Sequence, residues 1–456
     1  MSEKLIKNKE YELNIDSLCG NGNGVGRIDG FVVFVPGTAA GDKIIAKIIK
    51  VTKNYAVGKL SEILVPSKDR CDILCDVSSK CGGCSFCHIT YEAECELKKA
   101  MIDDSFSHIG GLDLKTSEFL GALKTERYRN KAMYPVSQGA DGKLVSGFYA
   151  AMSHRVIEHS DCLIGPEIFA KIKDEALKIL TELSVSAYDE QEENGLLRSV
   201  YMRKSSADTV LLTLIANGDS LGNQNEKIFC DKITSKFPEI TGVLINTNKK
   251  AGNSLLGDKW RTLWGDEYLY DTLCGKKFRI APAAFYQVNH AQTERLYTKA
   301  REMAQIKEGD VVFDLYCGTG TIGIIMAEKN VRLVGVEISK EATVDAAYNA
   351  KQNGVDAEFI CLDAGEALDT PRLTEKKPDV IIIDPPRKGC GEDAARKIAS
   401  FSAKRIVYIS CNPQTLARDL VTFKECGYTP EKAVGVDLFP RTGHVECIVR
   451  LSRVQQ

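Results

Sequence analysis

The stretch 311-VVFDLYCGTGTIGIIMAEKN-330 reads as an apolar run that ends near Asp314, a glycine-rich turn, and a second apolar segment. A short apolar run closed by glycines suits a strand buried on both faces, and the segment after the turn suits a helix packed against it. Two later runs repeat the pattern: 332-RLVGVEIS-339 reaches Glu337, and 379-DVIIIDPPRKG-389 reaches Asp384 and two prolines. Apolar strands alternating with helices predict a doubly wound parallel sheet over residues 282–456, with ligands at the carboxyl ends of the strands. Gly318, Gly320 and Gly323 satisfy GxGxxG with an acid further on at Glu337, so a nicotinamide or flavin dinucleotide is one candidate ligand. The acid at 314 and the lack of a basic residue beside the turn favour another. Asp314 and Glu337 suit an adenosine carrying a ribose diol and a cationic methionine, which is S-adenosylmethionine.

Further on, 405-RIVYISCNPQTLARD-419 places Cys411 between an apolar strand and a helix opened by Asn412 and Pro413. At that position the helix N-terminus is expected to favour thiolate, the nucleophilic form. The plainer alternative is a small buried thiol at the edge of a sheet.

The chain of 456 residues is 44% hydrophobic and 27% charged with a net charge of -2, a composition that accommodates two or three globular domains. A balance so near neutrality neither requires nor excludes nucleic acid. The opening MSEKLIKNKEYELNI lacks the apolar core of a secretory signal, and no apolar run reaches membrane-spanning length, so a cytoplasmic protein is expected. Sixteen cysteines then point to thiol or metal chemistry in a reducing compartment.

Residues 10–65 read as five short strands separated by the glycine-rich CGNGNG and PGTAAGD turns, which predicts a small barrel. Lysines 43 to 59 are expected on one arm of a hairpin, where they suit an RNA backbone or form a solvated strand edge. The run 71-CDILCDVSSKCGGCSFCHITYEAEC-95 concentrates six cysteines and points to a metal site, with zinc and an iron–sulfur cluster both open. Residues 91–109 look helical, and residues 119–279 mix strands such as VLLTLIA with helices such as PEIFAKIKDEALKILTEL. Within that region, 128-YRNKAMYP-135 sets an aromatic plane beside Arg129 and Lys131, a combination that can hold an unpaired base, although taken alone the motif reads more readily as ordinary surface charge.

Taken in order, FYQVN, DLYCGTGTIG, VGVE, DPPRKG, SCNPQTLARD and GHVE resemble the RNA (uracil-5-)-methyltransferases, and residues 1–66 resemble a TRAM domain, an RNA-binding barrel. The resemblance implies a class I S-adenosylmethionine-dependent fold in which Gln287, Tyr316, Glu337, Asp363 and Asp384 bind the cofactor. It implies Cys411 as nucleophile and Glu446 as general base. It further implies a [4Fe–4S] cluster on Cys75, Cys81, Cys84 and Cys162, with Cys71 and Cys87 outside the pattern. Three domains are expected: the barrel at 1–66, a central α/β domain at 67–281, and the methyltransferase domain at 282–456. The expected partner is RNA, with 23S ribosomal RNA favoured over transfer RNA by the joint presence of barrel and cluster motif, and the expected oligomeric state is a monomer. An RNA cytosine-5-methyltransferase is a competing class, although its cysteine usually stands in a PC or TC context rather than SCNP. A dinucleotide-dependent iron–sulfur oxidoreductase would leave Cys411 and Glu446 without a role.

Overall fold

The computed structural model describes residues 5–250, 252, 254–327 and 330–454. Its first unit is a closed barrel of β1 (Glu10–Leu18), β2 (Asn23–Ile28), β3 (Phe31–Pro36), β4 (Lys43–Val51) and β5 (Tyr55–Val65), in the order β1-β2-β3-β5-β4. Alternate apolar residues of these strands, among them Leu13, Ile15, Val33, Val35, Ile44, Ala46 and Ile48, fill the interior as the two-residue strand period requires. The lysines occupy both arms of the β4–β5 pair rather than one, and Lys47 stands directly opposite Lys59. Lys43 is drawn away to Glu12 at 2.6 Å.

Helix α1 (Tyr91–Asp104) starts on Thr90, whose hydroxyl accepts from the Ala93 amide, and runs into a π-helical turn at Ser105–Ile109. Strand β6 (Thr116–Leu120) follows. A seven-stranded sheet comes next, built from β7 (Lys131–Gln138), β8 (Leu144–Tyr149), β9 (Val156–Glu158), β10 (Leu197–Lys204), β11 (Val210–Ala216), β12 (Ile240–Thr247) and β13 (Lys259–Gly265). Helices α2 (Glu167–Glu182) and α3 (Asn223–Lys236) bury Phe169, Ile172, Phe229 and Ile233 against it. The hairpin of β14 (Leu269–Leu273) and β15 (Lys276–Ile280) then leads into a strap at 281–289 and α4 (His290–Ala304).

The second large sheet has eight strands in the order β18-β17-β16-β19-β20-β22-β21-β6. Its members in chain order are β16 (Val311–Leu315), α5 (Thr321–Met326), β17 (Arg332–Glu337), α6 (Lys340–Gln352), β18 (Ala357–Cys361), α7 (Ala364–Ala367), α8 (Pro371–Thr374) and β19 (Val380–Ile383). They continue with α9 (Glu392–Ser400), β20 (Arg405–Ser410), α10 (Pro413–Glu425), β21 (Tyr428–Val436) and β22 (Glu446–Arg453). Residues 328 and 329, the tail of the apolar segment after the glycine turn, lie outside the described residues.

From β18 to β20 neighbours are parallel, whereas β22 runs antiparallel to β20 and β21. All four residues of β19 are buried, as expected of a strand covered on both faces. One face packs on α7 to α10 and the end of α1, the other on α4, α5 and the β14–β15 hairpin. The doubly wound expectation is met, with the single antiparallel strand β22 inserted beside β20 and with β21 and β6 beyond it at that edge. That last strand precedes residue 282, and it pairs parallel with β21, so the sheets do not divide where the sequence suggested.

Candidate active site and the cysteine cavity

In an open sheet of this order the chain runs outward from β16 to β18 and then returns to β19, so the strands part company between β16 and β19. Crevices form at such a switch point beyond the carboxyl ends. Asp314 is the fourth residue of β16, Tyr316 follows that strand, Glu337 ends β17, Asp363 follows β18, Asp384 follows β19 and Cys411 follows β20. Five neighbouring strands thus bring six of the residues singled out in the sequence to one rim.

Local bonds shape that rim. The Gly323 amide donates to Asp314 Oδ2 at 2.8 Å, and a Cβ on Gly323 would sit 2.7 Å from that oxygen, so the bond needs glycine there. Asp314 Oδ1 and Thr319 Oγ1 are buried without a hydrogen-bond partner. Orphaned buried acceptors and hydroxyls are rare, and beside a glycine turn they fit a polar ligand. Tyr316 holds a φ of 66°, a left-handed conformation uncommon outside glycine that concentrates at functional sites. Glu337 already accepts from the Gly318 amide at 3.0 Å and the Ser339 amide at 2.8 Å, and its remaining lone pairs are what a ribose diol could use. Asp363 caps the short α7 by accepting from the Gly365 amide. Gln287 is buried on the strap, where Asn130 Nδ2 donates to its carbonyl at 3.1 Å and the Asn130 amide donates to Val288. Sequence reading had given Asn130 no part, yet it ties the YRNK segment to this strap.

Cys411 and Glu446 come from strands joined in register. Ser410 pairs with Cys447, so the next residue of β20's chain faces the first of β22. Glu446 is 4% exposed. Burial, with Asp384 adding repulsion, pushes its carboxyl up to about 8, and Arg387 offsets part of this. Burial likewise holds Asp384 and Asp314 up at about 7. The thiolate expectation at Cys411 is overturned. Burial, reinforced by Glu446 and Asp384, pushes the thiol up to about 11, against a smaller lowering by Arg387. A helix terminus contributes about 0.3–1 kcal/mol, less than desolvation among buried carboxyl groups.

A cavity of about 600 Å³ opens at Cys411, bounded by Arg387, His444, Met101 and His108 and by Cys19 and Gly20 of the first barrel turn. The barrel turn meets the loop before Glu446 directly, because a Cβ on Gly443 would stand 1.8 Å from the Gly20 carbonyl oxygen.

Cys71, Cys75, Cys81, Cys84, Cys87 and Cys162 line a second cavity of about 610 Å³. The expected formed metal site is not found: among the described residues no three His, Cys, Asp or Glu side chains converge to hold one metal ion. A zinc ion draws four sulfurs onto a single centre at about 2.3 Å, whereas a four-iron cluster spreads its cysteines over a larger body. Thiols gathered on one cavity are a donor set that suits either metal centre. Cys71 Sγ donates to the Ile89 carbonyl at 3.0 Å. Tyr128 departs from expectation, being 8% exposed with its hydroxyl donating to the Pro440 carbonyl at 2.9 Å, so its ring is core and open to no base.

Residues 260–454 match the tRNA (uracil-5-)-methyltransferase family profile, and residues 4–61 match the TRAM domain. An uncharacterized RNA methyltransferase of Clostridium acetobutylicum is 40% identical over 464 aligned residues, covering 100% of this chain and 100% of that protein. One from Clostridium tetani is 39% identical, covering 98% of this chain and 97% of its own. Among solved structures, Pyrococcus abyssi tRNA (uracil-54, C5)-methyltransferase in complex with S-adenosyl-L-homocysteine shares the fold at a TM-score of 0.79 and 24% identity, covering 97% of this chain and 100% of its own.

The raised carboxyl groups carry a pH signature. In an unfolded chain Glu446 releases its proton near the ordinary value of 4.5, but in the fold it keeps it to about 8. The folded state therefore binds more protons across that window, and this contribution to stability is lost as pH rises through about 8. Glu446→Gln should melt with wild type near pH 5 and roughly 2–5 °C above it near pH 9 in thermal scans. A constant offset at both pH values would show that Glu446 does not titrate in this range.

Proposed function

The chain belongs to the RNA (uracil-5-)-methyltransferase family, and from that membership we propose that it methylates carbon 5 of uridine in RNA through a covalent Cys411–uracil adduct. The observation that carries the adduct is the register that sets Cys411 against Glu446 at the rim shared with Asp314, Glu337 and Asp384. Gln287, Tyr316, Glu337, Asp363 and Asp384 are the residues we assign to S-adenosylmethionine, a source of an electrophilic methyl group on a sulfonium. The unpartnered Asp314 Oδ1 and the gathered carboxyl groups suit that cationic ligand.

The chemistry asks for these groups. Carbon 5 of uracil is a weak nucleophile until the Cys411 thiolate bonds to carbon 6, which makes the ring an enolate able to attack the methyl at carbon 5. A thiol held near 11 must lose its proton first, and Arg387 is the cation that lowers this cost. After transfer, Glu446 takes the carbon 5 proton, the ring double bond re-forms and the Cys411 sulfur departs. A carboxyl poised near neutrality is well matched to that step. The target base must be unpaired or flipped to enter the cavity at Cys411.

We assign 23S ribosomal RNA as the substrate, on the pairing of a TRAM barrel with the cysteine motif. The tRNA enzyme of Pyrococcus abyssi spans 97% of this chain, barrel region included, and so favours transfer RNA as the second reading. The cluster would rest on Cys75, Cys81, Cys84 and Cys162 and join the 75–84 loop to the segment at 162. A cytoplasmic, monomeric protein completes the proposal. Among the described residues no helix is long and apolar enough to cross a membrane.

Three outcomes are expected. Cys411→Ala should abolish methylation and any protein–RNA adduct, whereas Glu446→Gln should trap methylated RNA as a slow band on denaturing gels that depends on S-adenosylmethionine. Near wild-type turnover by Glu446→Gln without adduct would remove it as the base. Mass spectrometric mapping in a strain lacking the gene should show a 5-methyluridine missing from 23S ribosomal RNA; its loss from transfer RNA instead would select the second reading, and no loss anywhere would leave the proposal unsupported. Anaerobically purified protein should carry iron and sulfide that fall on replacing any of the four cysteines, and stoichiometric zinc without sulfide would refute the cluster.

A further inference from the structure

We infer that Arg129, Lys131 and Arg203 form a phosphate-binding site for the backbone of the substrate RNA on the wall of the cysteine cavity, an inference that rests on the RNA-methylating reading above. Lys131 on β7 stands directly opposite Arg203 on β10 in the antiparallel register. Like charges set opposite one another across strands are destabilising, so the pairing calls for something that compensates it. Arg129 joins them, its Nε donating to the Lys131 carbonyl at 3.2 Å. All three line the cavity of about 610 Å³.

Among the described residues no carboxylate pairs with them. Arg203 is 4% exposed, and its guanidinium donates to neutral acceptors, the Tyr201 hydroxyl and the Ala284 carbonyl. Nearby arginines are served differently: Arg127 pairs with Asp161, and Arg441 lies 3.6 Å from Glu94. Among the described residues Arg129, Lys131 and Arg203 form no such pair. Glu126 and Asp72 line the same cavity, yet the influences acting on Lys131 are burial and then Arg203 and Arg129, which together push its amine down to about 8. The three cations are also not counter-charges for the thiols. The charges that act on Cys75, Cys81, Cys84 and Cys162 are other cysteines and Asp76, and the cation felt by Cys71 and Cys87 is Arg441.

A cluster of one amine and two guanidinium groups, Arg203 buried and Arg129 and Lys131 half-buried, matches a phosphate oxyanion, with Arg supplying paired donors and Lys a point charge. Its position fits the polymer rather than a free ion. Arg203 holds the Ala284 carbonyl, and the Tyr201 hydroxyl donates to the Pro282 carbonyl at 3.1 Å, so the cluster is bonded to the strap that carries Gln287. A phosphodiester seated here would register the RNA against the strap between the two sheets.

The test uses full-length protein and a fluorescently labelled, unmethylated 23S ribosomal RNA transcript, with anisotropy titrations from about 50 to 200 mM salt. Lys131→Gln should reduce the slope of log Kd against log salt by about one, so that affinity changes threefold to fourfold less across that range. Lys131→Arg should restore the slope. Binding of S-adenosylhomocysteine by each variant reports whether the fold is intact, and Arg129→Gln carries the same expectation should Lys131→Gln fail to fold. An unchanged slope in folded variants overturns the inference. So does loss of iron at unchanged slope, which would assign the cations to the cysteine site, and so does thermal stabilisation by inorganic phosphate that vanishes in the variant while the RNA slope stays fixed. Failure of wild type to methylate any RNA, with the slope still altered, would sink the functional reading and leave the phosphate site standing.

Discussion

One ammonium group holds the molecule's parts in register. Lys98, fully buried on α1, donates to Glu94 Oε1 at 2.7 Å, to Asp437 Oδ1 at 2.8 Å and to the Phe439 carbonyl at 3.1 Å. The Tyr91 hydroxyl completes Asp437 at 2.7 Å, and the Arg441 amide donates to Glu94. Such a knot is costly to form and costlier to break, since removing one partner strands a buried charge at about 3–5 kcal/mol. It joins α1 to the loop that leads from β21 into Glu446. The same loop offers the Arg441 carbonyl to the Ser85 and Phe86 amides of the cysteine segment. Barrel turn, cysteine loop and catalytic loop thus meet at one junction, and each depends on that ammonium for its position.

The carboxyl groups at the rim obey the opposite logic. Asp314, Asp384 and Glu446 gather with little to neutralise them, and burial, with repulsion from Asp384 added at Asp314 and Glu446, pushes their carboxyl groups up. Such a site is an uncomfortable resting state that a cationic ligand relieves. Cys411 shares the discomfort, because the groups that welcome a sulfonium discourage a thiolate. Any cation seated among these carboxyl groups would lower the penalty on ionising the Cys411 thiol.

Much of the doubly wound sheet was legible because its strands are short, apolar and closed by glycine, proline or acid, and each reports its end locally. The barrel was legible for the same reason. What escaped was long-range. The thiol's environment is set by Asp384 and Glu446, which arrive from other strands, so a helix-start rule could not forecast it. Tyr128 read as a stacking platform because its neighbours are cationic, yet its ring is buried and its hydroxyl donates to the Pro440 carbonyl, a partner 312 residues away. Thr116–Leu120 gave no hint that it would finish a sheet whose other strands lie far downstream, since strand pairing leaves no mark on the sequence of a short edge strand.

The placing of β22 bears on how the molecule comes into being. Although it follows every other strand in chain order, it lies inside the sheet, between β20 and β21. During synthesis β20, α10 and β21 are all made before the loop to Glu446 and the strand that lies between β20 and β21. Only when Arg453 has emerged can the gap be filled, and the strand that fills it begins with Glu446. A nascent chain stopped before Glu446 lacks both the strand that fills the gap and the carboxyl that the register sets beside Cys411.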